Sequence, residues 1–281
     1  MRQYISAKMP DEKGNLRIYG KDCHYMQQVL RLKRDDSLDM RFPDGKLLLM
    51  KAVSFTKKYI EFSIALDSDI SSERGVSATN LEKTGTAIMP CEESIDGLKI
   101  RGCEYWILQF MPRPQKMDQI IRQAVECGVA YIVPVKGSFS PLAALADRTE
   151  RWNRIIKEAL QQSGSAVKTE VLRLQSLQDA INVWKNNLAR KDSDCNTSCA
   201  FVLDEDPTKQ ECLFKKLTKK PQKAVIAIGC EGGISKDELQ LLHAAGFESI
   251  HFNTNILRAE TAALYGIAAL QHAVMEFESW K

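Results

Sequence analysis

The sequence predicts an α/β protein in which a small N-terminal β-barrel precedes a mostly parallel β-sheet flanked by helices. Three observations support this fold class. Short β-rich segments separated by turn residues fill the first part of the chain, strand-like and helix-like apolar segments alternate in the second, and a polar stretch lies between them. The expected boundaries are residues 1–70 for the barrel, 71–103 for a linker or insertion, and 104–281 for the α/β domain.

The elements of the barrel follow from local patterns. Strands are expected at residues 3–6, 38–42, 47–55 and 59–66, and a Pro43-Asp44-Gly45 turn follows the second of them. Residues 24–32 have apolar side chains at helical spacing, which indicates a short helix with a basic end. From residue 67 to about 102 the sequence is rich in Ser, Glu and Gly, which is typical of a linker carrying an insertion.

The second part of the chain repeats a strand and helix pattern. Helical periodicity covers residues 117–125 and 152–160, and Gly128 and Gly164 end the two helices. Strands are expected at residues 105–110, 131–135, 167–172, 200–203, 224–228 and 249–252. Because ligands of parallel sheets bind at the carboxyl ends of the strands, the loops at those ends are the place to expect chemistry.

The composition is that of an ordinary globular protein, with 44% apolar residues and a net charge of +3. So small a charge does not identify a nucleic-acid partner, because an acidic ligand is met by a local basic surface. The basic residues that cluster in the N-terminal part are Arg31, Lys33, Arg34, Arg41, Lys46, Lys57 and Lys58. This cluster fits a phosphate-binding surface and a solvated barrel rim equally well.

The eight cysteines have neither a CxxC pair nor a disulfide-like spacing, which indicates reduced thiols of a cytoplasmic protein. Cys195 and Cys199 have no second pair and no nearby histidine to complete a tetrahedral site, so no metal is expected. A targeting leader and an apolar run long enough to cross a bilayer are both missing. We therefore expect a cytoplasmic protein without a membrane partner.

Three loops after the last predicted strands carry the strongest functional signal. They span residues 203–207, 229–235 and 253–262. In the second loop, Gly232 and Gly233 follow Glu231, and Ser235 with Glu238 forms a capping box for the next helix. The glycines let the backbone approach a ligand closely, and a tight turn alone would explain only one or two of them. The spacing is not GxGxxG and no Walker lysine follows, which disfavours dinucleotide and nucleoside triphosphate sites.

Two of these loops resemble the signatures of a known family. Residues 229–233 read GCEGG and residues 256–262 read ILRAETA. They resemble the Gly-Pro-Glu-Gly-Gly and Ile-Leu-Arg-Ala-Glu-Thr-Ala motifs of the 16S ribosomal RNA uridine-N3 methyltransferases, a family of the SPOUT superfamily. Weaker similarity covers residues 116–134, residues 151–164 and the N-terminal segment, and so nearly the whole chain outside the insertion.

The resemblance implies a fold, a cofactor and partners. The fold would be a C-terminal trefoil-knotted SPOUT methyltransferase domain, an exception to the general avoidance of knots, with an N-terminal PUA-like β-barrel that binds RNA. The partners would be 16S ribosomal RNA or the small ribosomal subunit, together with a second copy of the chain in a homodimer. The knot loops would bind S-adenosylmethionine through main-chain groups.

The same resemblance assigns binding residues by position. Those that match the cofactor site are Leu203, Gly229, Glu231, Gly232, Gly233, Ile256, Leu257 and Ala262. The small ones would let amide groups reach the adenosine, and the large apolar ones would pack on its rings. The residues expected to contact RNA are Arg2, His24, Arg31 and Lys33. As a lone histidine at a helix edge, His24 also fits a packing role.

Methylation of uracil N3 requires removal of the imide proton while the methyl donor is held in line with that nitrogen. Because N3 lies on the Watson–Crick edge, the base must be unpaired or flipped out. Arg258 is the candidate that orients the uracil or stabilises its developing anion. Glu260 is the candidate proton acceptor and Glu231 the second. A structural role for Glu260, as a carboxylate favoured by a helix N-terminus, is equally open.

The chain also departs from the family pattern. Gln123, Phe139 and Ser165 stand where the family has lysine or arginine, Cys230 replaces the loop proline, and Asn255 replaces an arginine. Fewer positive charges would weaken phosphate contacts. The alternatives are therefore a catalytically weakened SPOUT-fold RNA-binding or ribosome-assembly factor, or a methyltransferase with a shifted RNA target. An oxidoreductase on a dinucleotide fold is disfavoured by the missing GxGxxG motif.

Overall fold

A computed structural model of the protein describes residues 3–28, 30–56, 58–65, 102–188, 197–206 and 213–279. The chain forms two compact units, and each is built around one sheet. Arg2, Lys57, Cys195 and most of the expected linker lie outside the described residues. Among the described helices, none combines the length and the hydropathy that a membrane span requires.

The first unit is a five-stranded sheet with one helix. Its elements are β1 (Gln3–Ile5), β2 (Asn15–Tyr19), α1 (Gly20–Gln28), β3 (Ser37–Arg41), β4 (Leu47–Phe55) and β5 (Tyr59–Ile64). The strand order is β1-β3-β4-β5-β2, with β1 parallel to β3 and the other pairs antiparallel. Met26 of α1 packs with Met40, Met50, Ile60 and Phe62 in a fully buried core.

One local prediction for this unit was wrong, and one strand was missed. The expected helix at residues 24–32 begins at Gly20 and ends at Gln28, and Arg31 then adopts a left-handed conformation with φ 53°. Strand β2 was not predicted, because only Leu16 and Ile18 of its five residues face the core. So short an alternation of buried and exposed residues is weak evidence for a strand. Antiparallel pairing with β5 supplies the backbone hydrogen bonds that form it.

The second unit alternates strands and helices. Its elements are β6 (Glu104–Phe110), α2 (Pro114–Glu126), β7 (Tyr131–Lys136), α3 (Thr149–Ser163), β8 (Glu170–Val171), β9 (Gln175–Ser176), α4 (Leu177–Leu188), β10 (Ser198–Leu203), α5 (Leu213–Lys216), β11 (Lys223–Ile228), α6 (Lys236–Ala244), β12 (Glu248–Ile250) and α7 (Ala259–Ser279). The seven strands are parallel in the order β12-β10-β11-β6-β7-β8, with β9 also paired to β7. The predicted α/β class is confirmed.

Two apolar layers cover the sheet. Side chains of α2, α3 and α7 form one core with one face, and side chains of α4 and α6 form a second core with the other. Both faces of β6 and β11 are buried, which explains their nearly continuous apolar sequences. Helix α4 was not predicted, although its buried Leu177, Ala180, Ile181 and Trp184 recur at helical spacing.

Candidate functional site

A cleft of about 420 Å³ lies where β10, β11 and β12 end. Leu203, Ile228 and Ile250, the last residues of these strands, line it together with the loops that follow them. The volume is that of a small-ligand site, and carboxyl ends of parallel strands are where such sites form. The cleft therefore lies where the strand pattern predicted chemistry.

All eight residues expected at the cofactor site line this cleft. They are Leu203, Gly229, Glu231, Gly232, Gly233, Ile256, Leu257 and Ala262. The parallel order of β12, β10 and β11 places the three loops side by side, although they are far apart in sequence. Ile256 is 86% exposed and thus presents an apolar side chain that a ligand could cover.

The glycine loop, residues 229–233, folds back closely on itself. Gly233 has φ +77°, and its N–H donates to the carbonyl of Cys230 at 3.0 Å. A Cβ on Gly229 would lie 2.9 Å from the backbone carbon of Gly233, closer than packing allows. Cys230, which replaces the family's proline, is buried with its Sγ 3.6 Å from the carbonyl oxygen of Gly233. Its small side chain therefore fits inside the loop.

Buried Gln109 on β6 holds the beginning of this loop. Its Nε2 donates to the carbonyl oxygens of Ile228 and Gly229 at 3.3 and 3.2 Å, and to that of Phe110 at 3.0 Å. The side chain is fully buried, so these bonds form away from solvent competition. Sequence reasoning missed Gln109, since a single polar residue in an apolar strand gives no motif.

The predicted capping box is confirmed at the start of α6. Ser235 caps the helix, and Glu238 Oε2 accepts the backbone N–H of Ser235 at 2.9 Å. Glu238 Oε1 also accepts the N–H and the hydroxyl of Ser138, at 2.7 and 3.1 Å. Burial alone would raise the pKa of Glu238, but the bonds from Ser235 and Ser138 outweigh it and lower that pKa. Glu238 thus joins the start of α6, just after the glycine loop, to the loop after β7.

Lys116, in the first turn of α2, lies between two predicted site carboxylates. Its Nζ is 3.0 Å from Glu260 Oε2 and 3.8 Å from Glu231 Oε1. The carboxylate of Glu231 also accepts the backbone N–H of Arg113, at 3.1 and 3.3 Å to its two oxygens. Lys116 lines the cleft, whereas Glu260 is not among the described residues that line it. Sequence reasoning gave Lys116 no role, because its partners are distant in the chain.

Arg258 and Glu260 differ sharply in their surroundings. Arg258 lines the cleft and is exposed, and its guanidinium has no hydrogen-bond or ion-pair partner among the described residues. The side chain of Glu260 is only 13% exposed. Burial alone would raise the pKa of Glu260, but the N–H at the helix start, Lys116 and Arg258 outweigh it and lower that pKa. The lowered pKa makes Glu260 a weaker base, which favours the structural alternative left open by the sequence.

Asp204 brings a further carboxylate to the cleft, and a polar network orients it. Its Oδ2 accepts the hydroxyl of Ser249 at 2.8 Å, and Ser249 Oγ lies 2.8 Å from His243 Nε2. The ring nitrogen Nδ1 of His251 lies 2.9 Å from the carbonyl oxygen of Asp204. Because a carbonyl only accepts hydrogen bonds, Nδ1 of His251 is the donor in this contact. Sequence reasoning gave these residues no role.

The residues expected to contact RNA belong to the first unit. His24, Arg31 and Lys33 are exposed there, and Arg2 lies outside the described residues. The backbone N–H of Lys33 donates to Asp36 Oδ2 at 2.7 Å, which fixes the turn before β3. Their exposure is compatible with an RNA-facing surface and with a solvated rim.

Comparison with known proteins gives matches of three kinds. Residues 101–271 match the family described as the RNA methyltransferase domain. The Ribosomal RNA small subunit methyltransferase E of Aquifex aeolicus is 31% identical over 158 residues, which make up 56% of this chain and 62% of that protein. Ribosomal RNA small subunit methyltransferase E 2 of Borreliella burgdorferi is 26% identical over 255 residues, covering 87% of this chain and 86% of that protein.

Solved structures show the same fold. The crystal structure of a Ribosomal RNA small subunit methyltransferase E from Neisseria gonorrhoeae bound to S-adenosyl methionine superposes with a TM-score of 0.70 at 21% identity. The superposition covers 97% of this chain and 97% of the other.

Proposed function

The chain belongs to the RNA methyltransferase domain family, and on that premise we propose that it transfers a methyl group from S-adenosylmethionine to N3 of a uridine in 16S ribosomal RNA. The cleft carries the proposal, because the glycine loop and the ILRAETA segment, predicted separately, both line it. The relatives named as small-subunit methyltransferases support the substrate class. The substrate is either free RNA or the small ribosomal subunit.

The residues of the cleft suit the methyl donor. Leu203, Ile256 and Leu257 offer apolar contacts to an adenine ring, and the glycine loop brings backbone groups close to the ligand. Asp204 and Glu231 place negative charge where a ribose hydroxyl can donate and a positive sulfur is stabilised. S-adenosylmethionine supplies a methyl group on a positively charged sulfur, which leaves with both electrons of the broken bond.

Arg258 is the proposed contact of the reacting base. Its exposed, unpaired guanidinium can donate to a uracil carbonyl and hold the base in line with the methyl group. Glu260 and Glu231 are the proton acceptors that the sequence suggests. Both carboxylates contact Lys116, and Glu231 also accepts the backbone N–H of Arg113. The pKa of Glu260 is lowered as well, which makes it a weaker base.

The proposal extends to the fold and to assembly. The second unit, from about residue 104, is proposed to be a trefoil-knotted SPOUT domain whose knot contains the cleft loops. The first unit, up to about residue 70, is proposed to be a PUA-like barrel that binds RNA through Arg2, His24, Arg31 and Lys33. Residues 71–103 would join the two. The protein is proposed to be a cytoplasmic homodimer.

Calorimetry with S-adenosylmethionine tests the cofactor assignment directly. We expect one site per chain, and loss of the heat of binding in a variant with Gly232→Val and Gly233→Val. Absence of binding by the wild-type protein at millimolar cofactor would refute the proposal.

Nucleoside analysis of 16S ribosomal RNA tests the substrate. RNA from a strain lacking the protein is expected to lack one 3-methyluridine, which the wild-type protein and S-adenosylmethionine restore in vitro. Cofactor binding with an unchanged content of 3-methyluridine would instead favour the alternative of a weakened RNA-binding factor or a shifted target. The positions that have lost basic residues, Gln123, Phe139, Ser165 and Asn255, favour that alternative.

A further inference from the structure

We propose that Lys116 donates a hydrogen bond to a carbonyl oxygen of the target uracil, and that Glu260 acts through Lys116 as a positioning residue. This inference rests on the proposed function and deepens it, since it names a residue for the uracil and gives Glu260 a role other than proton acceptor.

The position of Lys116 carries the first step. Its side chain lines the cleft and is 25% exposed, so it can reach a ligand while most of its length is packed. The 3.0 Å contact with Glu260 and the 3.8 Å contact with Glu231 join α2, the start of α7 and the glycine loop. The ammonium group is thus fixed beside both loops proposed to bind the methyl donor.

Glu260 is poorly placed to take the proton itself. Its side chain is 13% exposed, it is outside the described lining of the cleft, and it faces Lys116. The lowered pKa agrees with this geometry. Burial raises the pKa of Glu260, but the N–H at the helix start and the cations Lys116 and Arg258 lower it by more. An ionised carboxylate in such surroundings orients a cation better than it accepts a proton.

The chemistry of uracil explains what a cation adds. As the N3–H bond breaks, negative charge spreads from N3 to the two carbonyl oxygens, and the electron pair of N3 forms the bond to the methyl group. The sulfur keeps the pair of the old bond, and the proton leaves to solvent in the cleft through Glu231, the second candidate acceptor. An ammonium donor at a carbonyl oxygen stabilises this charge more in the transition state than in the ground state. Among the described residues that line the cleft, one is a lysine, Lys116, and one is an arginine, Arg258.

A set of variants tests the assignment by turnover on 16S ribosomal RNA and by calorimetry with S-adenosylmethionine. Lys116→Met is expected to lower kcat by roughly 100-fold, the usual loss on removing such a donor, and to leave cofactor affinity within about threefold. Lys116→Arg should restore part of the activity, because it keeps the charge. Lys185→Met is the matched control, since Lys185 is an exposed lysine of α4 outside the cleft.

The double variant separates a positioning role from an independent one. Glu260→Gln alone should lower kcat less than Lys116→Met does, and the double variant should be no slower than Lys116→Met. Additive losses, equal losses of kcat and cofactor affinity, or full activity of a folded Lys116→Met protein would each overturn this inference while leaving the proposed function intact. A wild-type protein that binds the cofactor but does not methylate RNA would overturn the proposed function, and this inference with it.

Discussion

Charged side chains in the cleft divide into those with partners and those without. Lys116, Glu231 and Asp204 are all held by neighbours, whereas the guanidinium of Arg258 has no hydrogen-bond or ion-pair partner among the described residues. A charged group held by partners is oriented before a ligand binds and can still use a donor or acceptor that those partners leave open, as proposed for the third N–H of Lys116. One without partners is available for a substrate, because no internal bond must break first.

Arg258→Ala is therefore expected to abolish turnover with little effect on the cofactor. We expect kcat to fall at least about 100-fold, as for loss of an electrostatic stabiliser, and the Kd for S-adenosylmethionine to stay within about threefold. Single-turnover methylation and calorimetry measure the two effects. Arg154→Ala, which removes an exposed arginine of α3, is the control. Equal losses of turnover and affinity would instead place Arg258 at the cofactor.

At the scale of elements, the glycine loop owes its shape to the absence of side chains. The approach of Gly229 to the backbone of Gly233 is possible only because Gly229 has no Cβ, and Gly233 is needed for its own φ of +77°. Bonds from buried Gln109 hold the beginning of the loop, and the capping box of α6 holds its end. The loop is thus fixed at both ends before any ligand binds.

Gly229→Ala is expected to weaken cofactor binding at least about tenfold, because the added Cβ displaces backbone rather than a flexible side chain. Calorimetry with S-adenosylmethionine measures the change. Gly246→Ala is the matched control. Its φ of +95° makes alanine strained, but no atom lies within 4 Å of the added Cβ and the residue is outside the cleft. That control should lose thermal stability and keep its affinity. Unchanged affinity in Gly229→Ala would contradict the proposed cofactor loop.

Glu238 gives the start of α6 a pH dependence of known sign. Burial is outweighed by the bonds from Ser235 and Ser138, so the pKa in the folded state lies below the ordinary value of 4.5. Its stabilisation is therefore complete above about pH 4.5 and is lost as the pH falls through the lowered pKa. The reason is that only the folded state favours the ionised form.

Glu238→Gln is expected to lower the free energy of unfolding by about 1–2 kcal/mol at pH 7, because the amide N–H₂ would face N–H donors. The difference from the wild-type protein should shrink as the pH falls below about 4.5. Urea unfolding at a series of pH values measures it. Glu158→Gln, at an exposed position of α3, should show no such difference. A constant difference at all pH values would exclude the ionised carboxylate as the cause.

At the scale of the whole molecule, exposed apolar side chains suggest where the two chains of the proposed homodimer would pair. Leu264 and Met275 of α7 are 37% and 65% exposed. They are eleven residues apart, about three helical turns, and so lie on the same face of the helix. Large apolar side chains repeated along one exposed face are typical of a contact surface, and α7 follows directly from the cleft.

Light scattering should therefore give a mass of twice 31.7 kDa for the wild-type protein. The double variant Leu264→Glu/Met275→Glu should shift the protein toward the monomer, since charge on an apolar interface is costly to bury. Met9→Glu, at a 47% exposed methionine of the first unit, should leave the mass unchanged. A monomeric wild-type protein at micromolar concentration would refute the homodimer.

Local patterns in the sequence are sufficient to predict the class of the fold and the loops that line the cleft. Periods of two and of about 3.6 residues located most strands and helices, and glycines beside a capping box located the loop after β11. These signals are local, so they can be read without knowing what lies opposite. Strand β2 was not predicted because its alternation of buried and exposed residues is short. Helix α4 was not predicted, although its apolar residues have helical spacing.

The contacts between residues of the cleft depend on the tertiary fold. Lys116 and Glu260 pair across 144 positions, Gln109 holds a carbonyl at Gly229, and Ser249 orients Asp204. No local sequence pattern predicts such pairs, because the two partners are far apart in the chain and the residues next to each of them do not depend on the contact. The order of parallel strands brings these residues together, and strand order depends on long-range pairing rather than on any single segment.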